Sequence, residues 1–436
     1  MKKILKKCVS CLFITIFIVF NCTYTFAKAA TNDLANVNAE GVILVDYSSG
    51  RILYEKNADE PLHPASMTKM MTEYLVNESI KNGKIKWDQK VSISDYVYMV
   101  SQDNSLSNVP LKKDEQYSVR ELYESMAIYS ANGSTIALAE LIAGSEANFV
   151  KMMNDKAASM GLKNCKFVNS TGLNNADLKG KHPAGGKNDE NTMSPRSVAM
   201  LAFNLLHDYP DVLKTASIPR KIFKEGTKDA IVMDNWNWMI PGTEYPVLDY
   251  KGVDGLKTGS TDLGGISFTC TAMRNNMRFI SVIMKTTLNY KQSRFIETKK
   301  ILDYVFSNYE KKDLFPTGYK IQGQSKLPVK NGKDNYAEVA TKSPLSVVLK
   351  KGEDNMFKPT YTFENTVYQN GKLIAPLSKG QTVGYLTIDY KGASKYGYLI
   401  PAYREKVPVI AVNQVKKASF IRAFFRNIIE FISKLF

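Results

Sequence analysis

A helical block bracketed by two strand-rich segments constrains the fold of this chain more than any other feature. Residues 42–45 and 51–54 are apolar runs joined by a short turn, a pattern that predicts a β-hairpin. Residues 266–272 alternate apolar and polar side chains and are followed by a turn and a partner strand over residues 279–284. Between the hairpins, apolar residues recur at helical spacing over about residues 66–216. The economical arrangement is an α+β fold, in which early and late strands lie side by side in one mixed sheet with the helices packed against it.

The composition changes near Pro316. From there to about residue 412, short β-branched runs alternate with turns rich in Gly, Pro, Asn and Lys, which is typical of a small all-β domain. The chain of 436 residues is long enough for two domains. The predicted organisation is a first segment at residues 1–30, a large domain over residues 31–312, a β-rich domain over residues 313–412 and a last segment at residues 413–436.

The first residues have the pattern of a secretory signal peptide. Lysines precede an apolar run over residues 12–20, which is too short to span a bilayer comfortably. Small residues around Ala27 and Ala29 then offer a cleavage site. We therefore predict that residues 1–30 are removed and that the protein is exported, with an uncleaved N-terminal anchor as the alternative.

Few residues are suited to disulfide bonding or metal binding. Three of the five cysteines lie in the predicted signal peptide, which leaves Cys165 and Cys270, each in an apolar, strand-like stretch. Two buried, unpaired thiols are the prediction, and one disulfide stays open because pairing cannot be deduced from sequence. The chain has three histidines and no clustered Cys/His spacing, so neither a metal nor another cofactor is predicted.

The last segment, residues 416–436, has the pattern of an amphipathic helix. Its apolar residues recur at helical spacing, while Arg422, Arg426, Glu430 and Lys434 stand four apart on the opposite side. Such a helix is too polar to span a bilayer and is expected to lie in the interface with its arginines toward the lipid phosphates. The net charge of +16 also fits an anionic membrane surface, and export argues against nucleic acid as the partner. We predict attachment to the outer face of the cytoplasmic membrane; a helix packed on its own domain is the alternative.

Ser66 and Lys69 form the first of three short motifs with chemical content. Apolar residues follow Ser66 at helical spacing, so a helix is predicted to begin near Ser66 with both side chains on the same side. A serine hydroxyl is a good nucleophile only when a base takes its proton, and a neutral lysine in a cationic, desolvated site is such a base. In isolation this spacing is common, because a serine often caps a helix.

Ser130 and Asn132 lie on a predicted turn between two helices, where loop residues can project into a cleft. The Ser130 hydroxyl can pass a proton between a lysine and a leaving amine, and the Asn132 amide can hold a substrate backbone. Taken alone, the sequence Ser-Ala-Asn is also a routine connection between helices.

Lys257, Thr258 and Gly259 precede Ser260 on the run that leads into the late hairpin. As an exposed edge strand, this run could pair with an extended peptide. The side chains of Lys257 and Thr258 would then face the substrate's terminal carboxylate, while Gly259 allows close backbone approach. The backbone N–H of Ser260 could join that of Ser66 to stabilise a developing oxyanion.

The ordered set of three motifs resembles that of the low-molecular-mass penicillin-binding proteins that act as D-alanyl-D-alanine carboxypeptidases. Ala131 stands where class A β-lactamases usually have Asp, which favours the carboxypeptidase branch. Beyond the three motifs, the resemblance covers residues 41–412 and is carried by residues 64–69, 167–173, 192–199 and 372–386.

The resemblance implies a β-lactamase/transpeptidase-like fold for the first domain and a serine-type hydrolase acting on peptidoglycan stem peptides that end in D-Ala-D-Ala. Ser66 would attack the bond between the two D-alanines with Lys69 as base, and Ser130 would relay the proton to the departing D-alanine. Lys257 and Thr258 would hold the terminal carboxylate. β-Lactam antibiotics mimic this dipeptide and are expected to acylate Ser66.

Two other functions share these motifs. A serine β-lactamase of class A places a glutamate beside the deacylating water, and no Glu-x-x-x-Asn pattern occurs between Ser130 and Lys257. A catalytically inactive cell-wall-binding scaffold is the second alternative, and the intact Ser66, Lys69, Ser130 and Lys257 argue against it.

Overall fold

The structure, a computed structural model, describes residues 34–392, 396–401, 404–419 and 421–422. The chain divides into two units, Met1–Asn36 and Val37–Phe436. Of the first unit, only the 3-10 turn Leu34–Asn36 is described. The predicted signal peptide at residues 1–30 therefore lies outside the described residues.

The bounds of the regular elements are as follows. The α-helices are α1 (Lys69–Lys81), α2 (Asp95–Ser101), α3 (Val119–Tyr129), α4 (Asn132–Ala143), α5 (Glu146–Ser159), α6 (Pro195–Asp208), α7 (Val212–Ala216) and α8 (Ser293–Asn308). The strands are β1 (Ala39–Asp46), β2 (Ile52–Lys56), β3 (Lys90–Ser92), β4 (Gln116–Ser118), β5 (Cys165–Lys166), β6 (Thr192–Met193), β7 (Arg220–Phe223), β8 (Ile231–Asp234), β9 (Val253–Thr261), β10 (Gly265–Arg274), β11 (Met277–Thr286), β12 (Tyr309–Phe315), β13 (Lys326–Lys330), β14 (Tyr336–Thr341), β15 (Leu345–Lys350), β16 (Phe357–Phe363), β17 (Tyr368–Gln369), β18 (Lys372–Ile374), β19 (Thr382–Tyr390) and β20 (Lys406–Ala411).

The early and late strands form one five-stranded sheet in the order β2-β1-β11-β10-β9, as the hydrophobic pattern predicts. The prediction of a mixed sheet is wrong, because every pairing in this sheet is antiparallel. Three of the connections between neighbours, β1 to β2, β9 to β10 and β10 to β11, are short hairpins, which impose antiparallel pairing. The strand β9, which carries Lys257, lies at the edge of the sheet.

The sheet is covered on both faces, which explains why its central strands read as continuous apolar runs. On one face, Ile280 and Val282 belong to the core formed with the helical block, in which α6 packs against β1 and β11. On the other face, Phe268 and Cys270 pack against Phe295 of α8. Because side chains alternate across a strand, both parities must be apolar when both faces are buried.

The turn between β10 and β11 lies where the sequence predicts it. Asn275 and Asn276 occupy its two central positions with φ of 51° and 58°. Positive φ at both positions is the requirement of the two-residue hairpin turn that matches strand twist, and asparagine tolerates it well. The partner strand β11 is longer than predicted and extends to Thr286.

The two cysteines outside the predicted signal peptide are unpaired, as predicted. Cys270 is buried in β10, whereas Cys165 is partly exposed rather than buried. Burial raises the pKa of the Cys165 thiol to about 12, so this thiol stays protonated and unreactive at neutral pH.

A second, all-β domain follows α8. Its seven-stranded sheet has the order β16-β19-β20-β14-β13-β18-β17, and β12 pairs with β15 beside it. The apolar interior is separate from that of the first domain and includes Val339, Leu373, Leu386 and Val409. The helix α8 passes into β12 without a loop, so the boundary predicted after residue 312 falls inside Tyr309–Phe315.

The helix predicted over residues 416–436 does not begin where the sequence pattern places it. Residues 413–419 are not helical, and they bond to a loop of the β-rich domain through Lys333 N–H to Lys416 O (2.7 Å) and Ala418 N–H to Asn331 O (2.8 Å). Ile421 and Arg422 are helical and exposed. The rest of the predicted helix lies outside the described residues. In the part of the chain that the structure describes, no helix has the length and apolar character needed to cross a membrane.

Arg51, at the start of the first hairpin's second strand, joins the two domains. Its guanidinium donates to Val348 O and lies 5.1 Å from the ring centres of both Phe357 and Tyr390. The same hairpin donates and accepts backbone hydrogen bonds with residues 397 and 399. Arg51 is only 5% exposed, so its contacts act in a desolvated environment.

We expect Arg51→Met to lower the free energy of unfolding by about 2–4 kcal/mol, because it keeps the bulk but removes a charged hydrogen bond and two cation–π contacts. The matched control is Arg120→Met, because Arg120 is exposed and its guanidinium stacks on one ring only, that of Trp87, at 4.8 Å. This variant is expected to lower the free energy of unfolding by less than about 1 kcal/mol. Urea denaturation of both variants measures the difference. Equal losses would show that Arg51 does not stabilise the junction.

Candidate active site

Ser66 lies on the 3-10 turn Ala65–Thr68, directly before α1. The helix predicted near Ser66 is confirmed, and its first turn is the tighter 3-10 form. Pro64 caps that turn and Thr68 caps α1, so Ser66 does not have the capping role that the isolated motif also allows. The hydroxyl is half-buried and lines an open cleft.

Lys69 is fully buried beneath Ser66. Its Nζ lies 2.9 Å from Ser66 Oγ, 2.8 Å from Asn132 Oδ1 and 2.8 Å from Thr171 O. Burial, and then the positive charge of Lys257, lower the pKa of Lys69 well below its usual value. Both effects favour the neutral amine over the ammonium form of this side chain, which lies next to a hydroxyl.

A loop over residues 167–173 supplies the carbonyl of Thr171. Asn169 Oδ1 accepts from the backbone N–H of Thr171 (3.2 Å) and of Gly172 (2.7 Å), which fixes the loop. Gly172 has φ of +83°, and a Cβ on it would lie 1.9 Å from Ala65 O. Glycine is thus needed here, because the loop touches the main chain of the turn that carries Ser66.

Ser130 lies between α3 and α4, as the sequence predicts, and Asn132 is the first residue of α4. Ser130 has φ of 63° and ψ of 29°, a left-handed conformation that costs a residue other than glycine roughly 1 kcal/mol or more. Its Oγ accepts a hydrogen bond of 2.9 Å from Lys257 Nζ. The Asn132 amide is engaged at both ends, since its Nδ2 donates to Ser107 O at 3.0 Å.

Lys257 reaches Ser130 from the edge strand β9 and is buried. Burial lowers its pKa to about 8, while the charge of Glu73 opposes that shift and the charge of Arg294 adds to it. Lys257 is therefore a cation up to mildly alkaline pH, in contrast to Lys69. The two buried lysines each contact one serine but differ in charge.

These elements enclose a cleft of about 390 Å³. Residues from all three predicted motifs belong to its lining or to its floor, and Lys69 and Lys257 lie directly behind the two serines. The lining residues include Ser66, Ser130, Asn132, Thr258, Gly259 and Ser260 of the predicted set, together with Tyr129, Trp236, Lys291 and Arg294.

Gly259 is needed for a close backbone approach within the protein, and the predicted approach of a substrate backbone stays a prediction. A Cβ at this position would lie 2.5 Å from Pro64 O and 3.2 Å from Ala65 Cβ. A close approach therefore exists between β9 and the turn that carries Ser66. This contact sets the distance between Ser66 and the strand.

Two charged residues of the site, Arg294 and Glu73, belong to none of the three sequence motifs. Arg294, at the start of α8, donates to Gly259 O (2.9 Å), Ser267 O (3.1 Å) and Ser260 Oγ (2.7 Å), and burial lowers its pKa to about 10. Glu73 lies one helical turn after Lys69 and is buried. The spacing of four residues between Lys69 and Glu73 was the only available signal, and no spacing links Arg294 to the motifs.

Comparison with known proteins finds a family match for each of the two domains. The family described as D-alanyl-D-alanine carboxypeptidase matches residues 26–287, which is more than half of the chain. The family described as the C-terminal domain of penicillin-binding protein 5 matches residues 309–417.

A relative named D-alanyl-D-alanine carboxypeptidase DacF, from Bacillus subtilis, is 33% identical over 420 residues, with 96% of each chain covered. A crystal structure of PBP3 from Streptococcus pneumoniae, described as a peptidoglycan synthesis regulatory factor, has a TM-score of 0.73 at 33% identity and covers 87% of this chain and 99% of its own. Penicillin-binding protein D2 from Listeria monocytogenes, solved in an ampicillin-bound form, has a TM-score of 0.50 at 28% identity and covers 62% of this chain and 97% of its own. With the serine–lysine geometry and both family matches in agreement, the chain belongs to the D-alanyl-D-alanine carboxypeptidases, the serine-type penicillin-binding proteins that the sequence motifs indicate.

Proposed function

We propose that Ser66 is the nucleophile and Lys69 its base in the removal of the terminal D-alanine from peptidoglycan stem peptides. The contacts of Lys69 Nζ carry this proposal. A neutral amine has two N–H donors and one lone pair, and two of its three neighbours, Asn132 Oδ1 and Thr171 O, can only accept. Both N–H groups are thereby used, so the lone pair is directed at Ser66 Oγ and can take its proton.

Ser66 Oγ then attacks the carbonyl carbon between the two D-alanines, and its proton passes to Lys69. As the C–N bond breaks, the departing amine takes a proton from Ser130 Oγ, whose place in the network is fixed by Lys257. The proton that Lys69 took from Ser66 passes to Ser130 Oγ in its place, so that Ser130 is a hydroxyl and Lys69 a neutral amine again. D-Alanine leaves, and the stem peptide remains as an ester on Ser66. Water, deprotonated by the same base, hydrolyses the ester and restores the serine.

The opposite wall of the cleft binds the substrate's terminal carboxylate in this proposal. Lys257 supplies the positive charge, while Thr258 and Ser260 supply hydroxyl groups. Arg294 holds Ser260 by a hydrogen bond of 2.7 Å and adds a second cation. The backbone N–H groups of Ser66 and Ser260, which both belong to the cleft lining, are assigned to the oxyanion.

Asn132 has two assigned roles. Its Oδ1 orients Lys69, and one proton of Nδ2 is bonded to Ser107 O. The second Nδ2 proton remains for a substrate carbonyl, as the sequence predicts.

β-Lactams are expected to react with the site in the same way as the peptide. Their leaving group, however, stays attached to the acyl group after the bond breaks. The ampicillin-bound structure of the Listeria relative supports acylation by a penicillin in this fold. In this chain, we assign the acylated atom to Ser66 Oγ. The ester is expected to persist longer than the peptide ester, because the leaving group stays attached to it and remains in the cleft, where it hinders the approach of water.

We also propose that residues 1–30 direct export, that residues 31–312 and 313–412 form the catalytic and β-rich domains, and that the C-terminal helix binds the anionic outer face of the cytoplasmic membrane. The proposal for the helix rests on its sequence pattern and on the exposure of Ile421 and Arg422 beyond the β-rich domain. This arrangement would hold the catalytic cleft near its peptidoglycan substrate.

Ser66→Ala is expected to abolish hydrolysis of a diacyl-D-Ala-D-Ala peptide, by at least about 1000-fold, because no other group forms the ester. Intact-mass spectrometry after penicillin treatment should show one adduct on the wild type, mapped to the peptide containing Ser66, and none on the variant. Cys165→Ala, which removes the partly exposed thiol, is the matched control and should retain both properties. An adduct on another peptide contradicts the proposal, and rapid loss of the adduct from Ser66 would instead indicate a β-lactamase.

The value of kcat/KM for the peptide is expected to fall as pH rises through about 8, because Lys257 loses its proton there and no longer attracts the carboxylate. The fall should reach roughly tenfold per pH unit and appear mainly in KM. Lys257→Met, which never carries the charge, should have low kcat/KM with no such fall. A wild-type profile that stays flat beyond about pH 9 would contradict this role.

Removal of residues 420–436 should release the protein from vesicles that contain anionic lipid, without loss of activity on a soluble peptide. The truncation begins at Phe420 because Lys416 and Ala418 are bonded to the β-rich domain. Vesicle co-sedimentation measures the effect, with Arg422→Gln/Arg426→Gln as a milder variant that should weaken binding to anionic vesicles only. Equal sedimentation of the full and truncated chains would exclude the anchor.

A further inference from the structure

Asn191 is a buried residue that belongs to none of the three motifs and that the mechanism above does not use. It lies directly before β6, and only 1% of it is exposed. A primary amide has two N–H donors and an oxygen that accepts two hydrogen bonds, so four partners are needed to satisfy it away from water. Asn191 has all four, which shows that its side chain is held in one orientation.

The four partners of Asn191 lie on two segments of the site. Its Oδ1 accepts hydrogen bonds from the backbone N–H of Val168 (2.7 Å) and of Asn169 (3.1 Å). Its Nδ2 donates to Asn169 O (3.0 Å) and to Thr68 Oγ1 (2.9 Å). The amide therefore joins the start of the loop over residues 167–173 to the last residue of the turn that carries Ser66.

These two segments carry the lysine and one of its acceptors. Thr68 directly precedes Lys69, and the loop supplies Thr171 O, which lies 2.8 Å from Lys69 Nζ. The loop also touches the turn at Gly172, where a Cβ would lie 2.8 Å from Thr68 Oγ1. The distance from Lys69 to its acceptor therefore depends on how closely the loop and the turn are held together.

The main chain around Asn191 is itself held in place. Asn191 O lies 3.2 Å from Nδ1 of His63, which precedes the turn that carries Ser66. The neighbouring side chain of Glu190 is buried, and its carboxylate accepts a hydrogen bond of 2.8 Å from Thr261 Oγ1 at the end of β9. The Asn191 amide thus projects from a fixed point and does not simply follow the loop.

Other contacts hold the middle of the loop. Thr72 of α1 donates from its hydroxyl to Ser170 O at 2.9 Å. Glu146 of α5 accepts from the backbone N–H of Ser170 (2.9 Å) and from its hydroxyl (2.6 Å). Loss of the Asn191 amide is therefore expected to displace the loop by a small distance and not to release it.

We infer that Asn191 is a positioning residue for the base: by joining Thr68 to the loop over residues 167–173, it places Thr171 O against Lys69 Nζ. The inference rests on the proposed function and deepens it by naming a group outside the motifs on which the base depends. None of the four partners of Asn191 is a reacting atom, so it acts through Thr171. When this carbonyl is displaced, one N–H of the amine loses its acceptor, and the lone pair is no longer directed at Ser66 Oγ.

Asn191→Ala tests the inference through the rate of Ser66 acylation by a fluorescent penicillin. The first-order rate constant of acylation should fall by about 10- to 100-fold, because a displacement of a catalytic group by about 1 Å has effects of this size. The dissociation constant of the penicillin before acylation should change by less than about threefold, since Lys257 and Thr258 bind the carboxylate on the other wall of the cleft. Stopped-flow fluorescence at several penicillin concentrations separates the two constants.

Asn154→Ala is the matched control, because Asn154 is the same type of residue and binds the same loop. Its Oδ1 accepts from the backbone N–H of Phe167 (3.0 Å), and its Nδ2 donates to Phe167 O (2.9 Å). Asn154 belongs to α5, so it ties the loop to that helix and not to the turn that carries Ser66. This variant should unfold at a lower temperature than the wild type but keep the acylation rate constant within about threefold. Equal losses of that rate constant in the two variants would overturn the inference.

Thr68→Val and Thr68→Ser test the same hydrogen bond from its other end and decide the case in which Asn191→Ala does not fold. Valine has the shape of threonine but no hydroxyl to accept from Asn191, whereas serine keeps the hydroxyl and lacks only the methyl group. The rate constant of acylation should fall by about tenfold or more in Thr68→Val and stay within about threefold of the wild type in Thr68→Ser. Equal rate constants in the two variants would contradict the inference.

The double variant Asn191→Ala/Thr68→Val shows whether both residues act through their mutual contact. Since each single variant already removes that hydrogen bond, the loss in the double variant should be clearly smaller than the product of the two single losses. A loss equal to the product would mean that the two residues act independently and would overturn the inference.

The proposed function and this inference can fail separately. Absence of a penicillin adduct on Ser66 in the wild type would refute the proposed function. A wild type that forms the adduct, together with a folded Asn191→Ala that is acylated at the same rate, would refute only the positioning role of Asn191.

Discussion

The exclusion of water from Lys69 is the physical condition on which the catalytic arrangement depends. A lysine in water holds its proton far above neutral pH and cannot serve as a base. Complete burial reverses this preference, but it also requires that each N–H of the amine find an acceptor. Asn132 Oδ1 and Thr171 O meet this requirement, and they come from two separate segments of the chain. The helix α1, the start of α4 and the loop over residues 167–173 must therefore all pack together before the base exists.

The architecture of the first domain follows from the need for that burial. A sheet covered on both faces gives an apolar interior in which α1 can lie with its methionines fully enclosed. The same sheet offers one open edge, β9, and this edge carries the second lysine to the mouth of the cleft. Gly259 permits β9 to touch the turn that holds Ser66, so Ser66 and the strand that carries Lys257 are held at a fixed distance. Behind this turn, the interior of the domain buries Lys69. In front of it, the cleft leaves Ser66 accessible to a substrate.

The sequence predicts the parts of this site that have a local pattern. The serine–lysine spacing, the turn at Ser130 and the edge strand at Lys257 all lie where local periodicity places them, and the order of the motifs indicates the chemistry. The pairing direction of the sheet was not predicted correctly, because alternation of side chains specifies a strand but not its neighbour's direction.

Other parts of the site have no local signature. The acceptor for Lys69 at Thr171 is a backbone carbonyl, which every residue possesses, so only the folded loop distinguishes it. Arg294 reaches the site from a helix that follows the late hairpin, and its role depends on the register of β9 against β10. The contact of Gly259 with the turn that carries Ser66 was not predicted, since a glycine in a sequence does not reveal which neighbouring backbone approaches it.

The site contains two serine–lysine pairs with the same chemical groups, to which we assign different tasks. Ser66 with Lys69 and Ser130 with Lys257 have equal contact distances of 2.9 Å, so geometry alone does not distinguish them. The distinction is electrostatic: burial lowers the pKa of both lysines, well below the usual value for Lys69 but only to about 8 for Lys257. Because two adjacent cations repel, the charge on Lys257 also disfavours a charge on Lys69. The proton on Lys257 therefore helps to keep Lys69 neutral, so the two buried lysines can take the different charges that a base and a carboxylate-binding cation require.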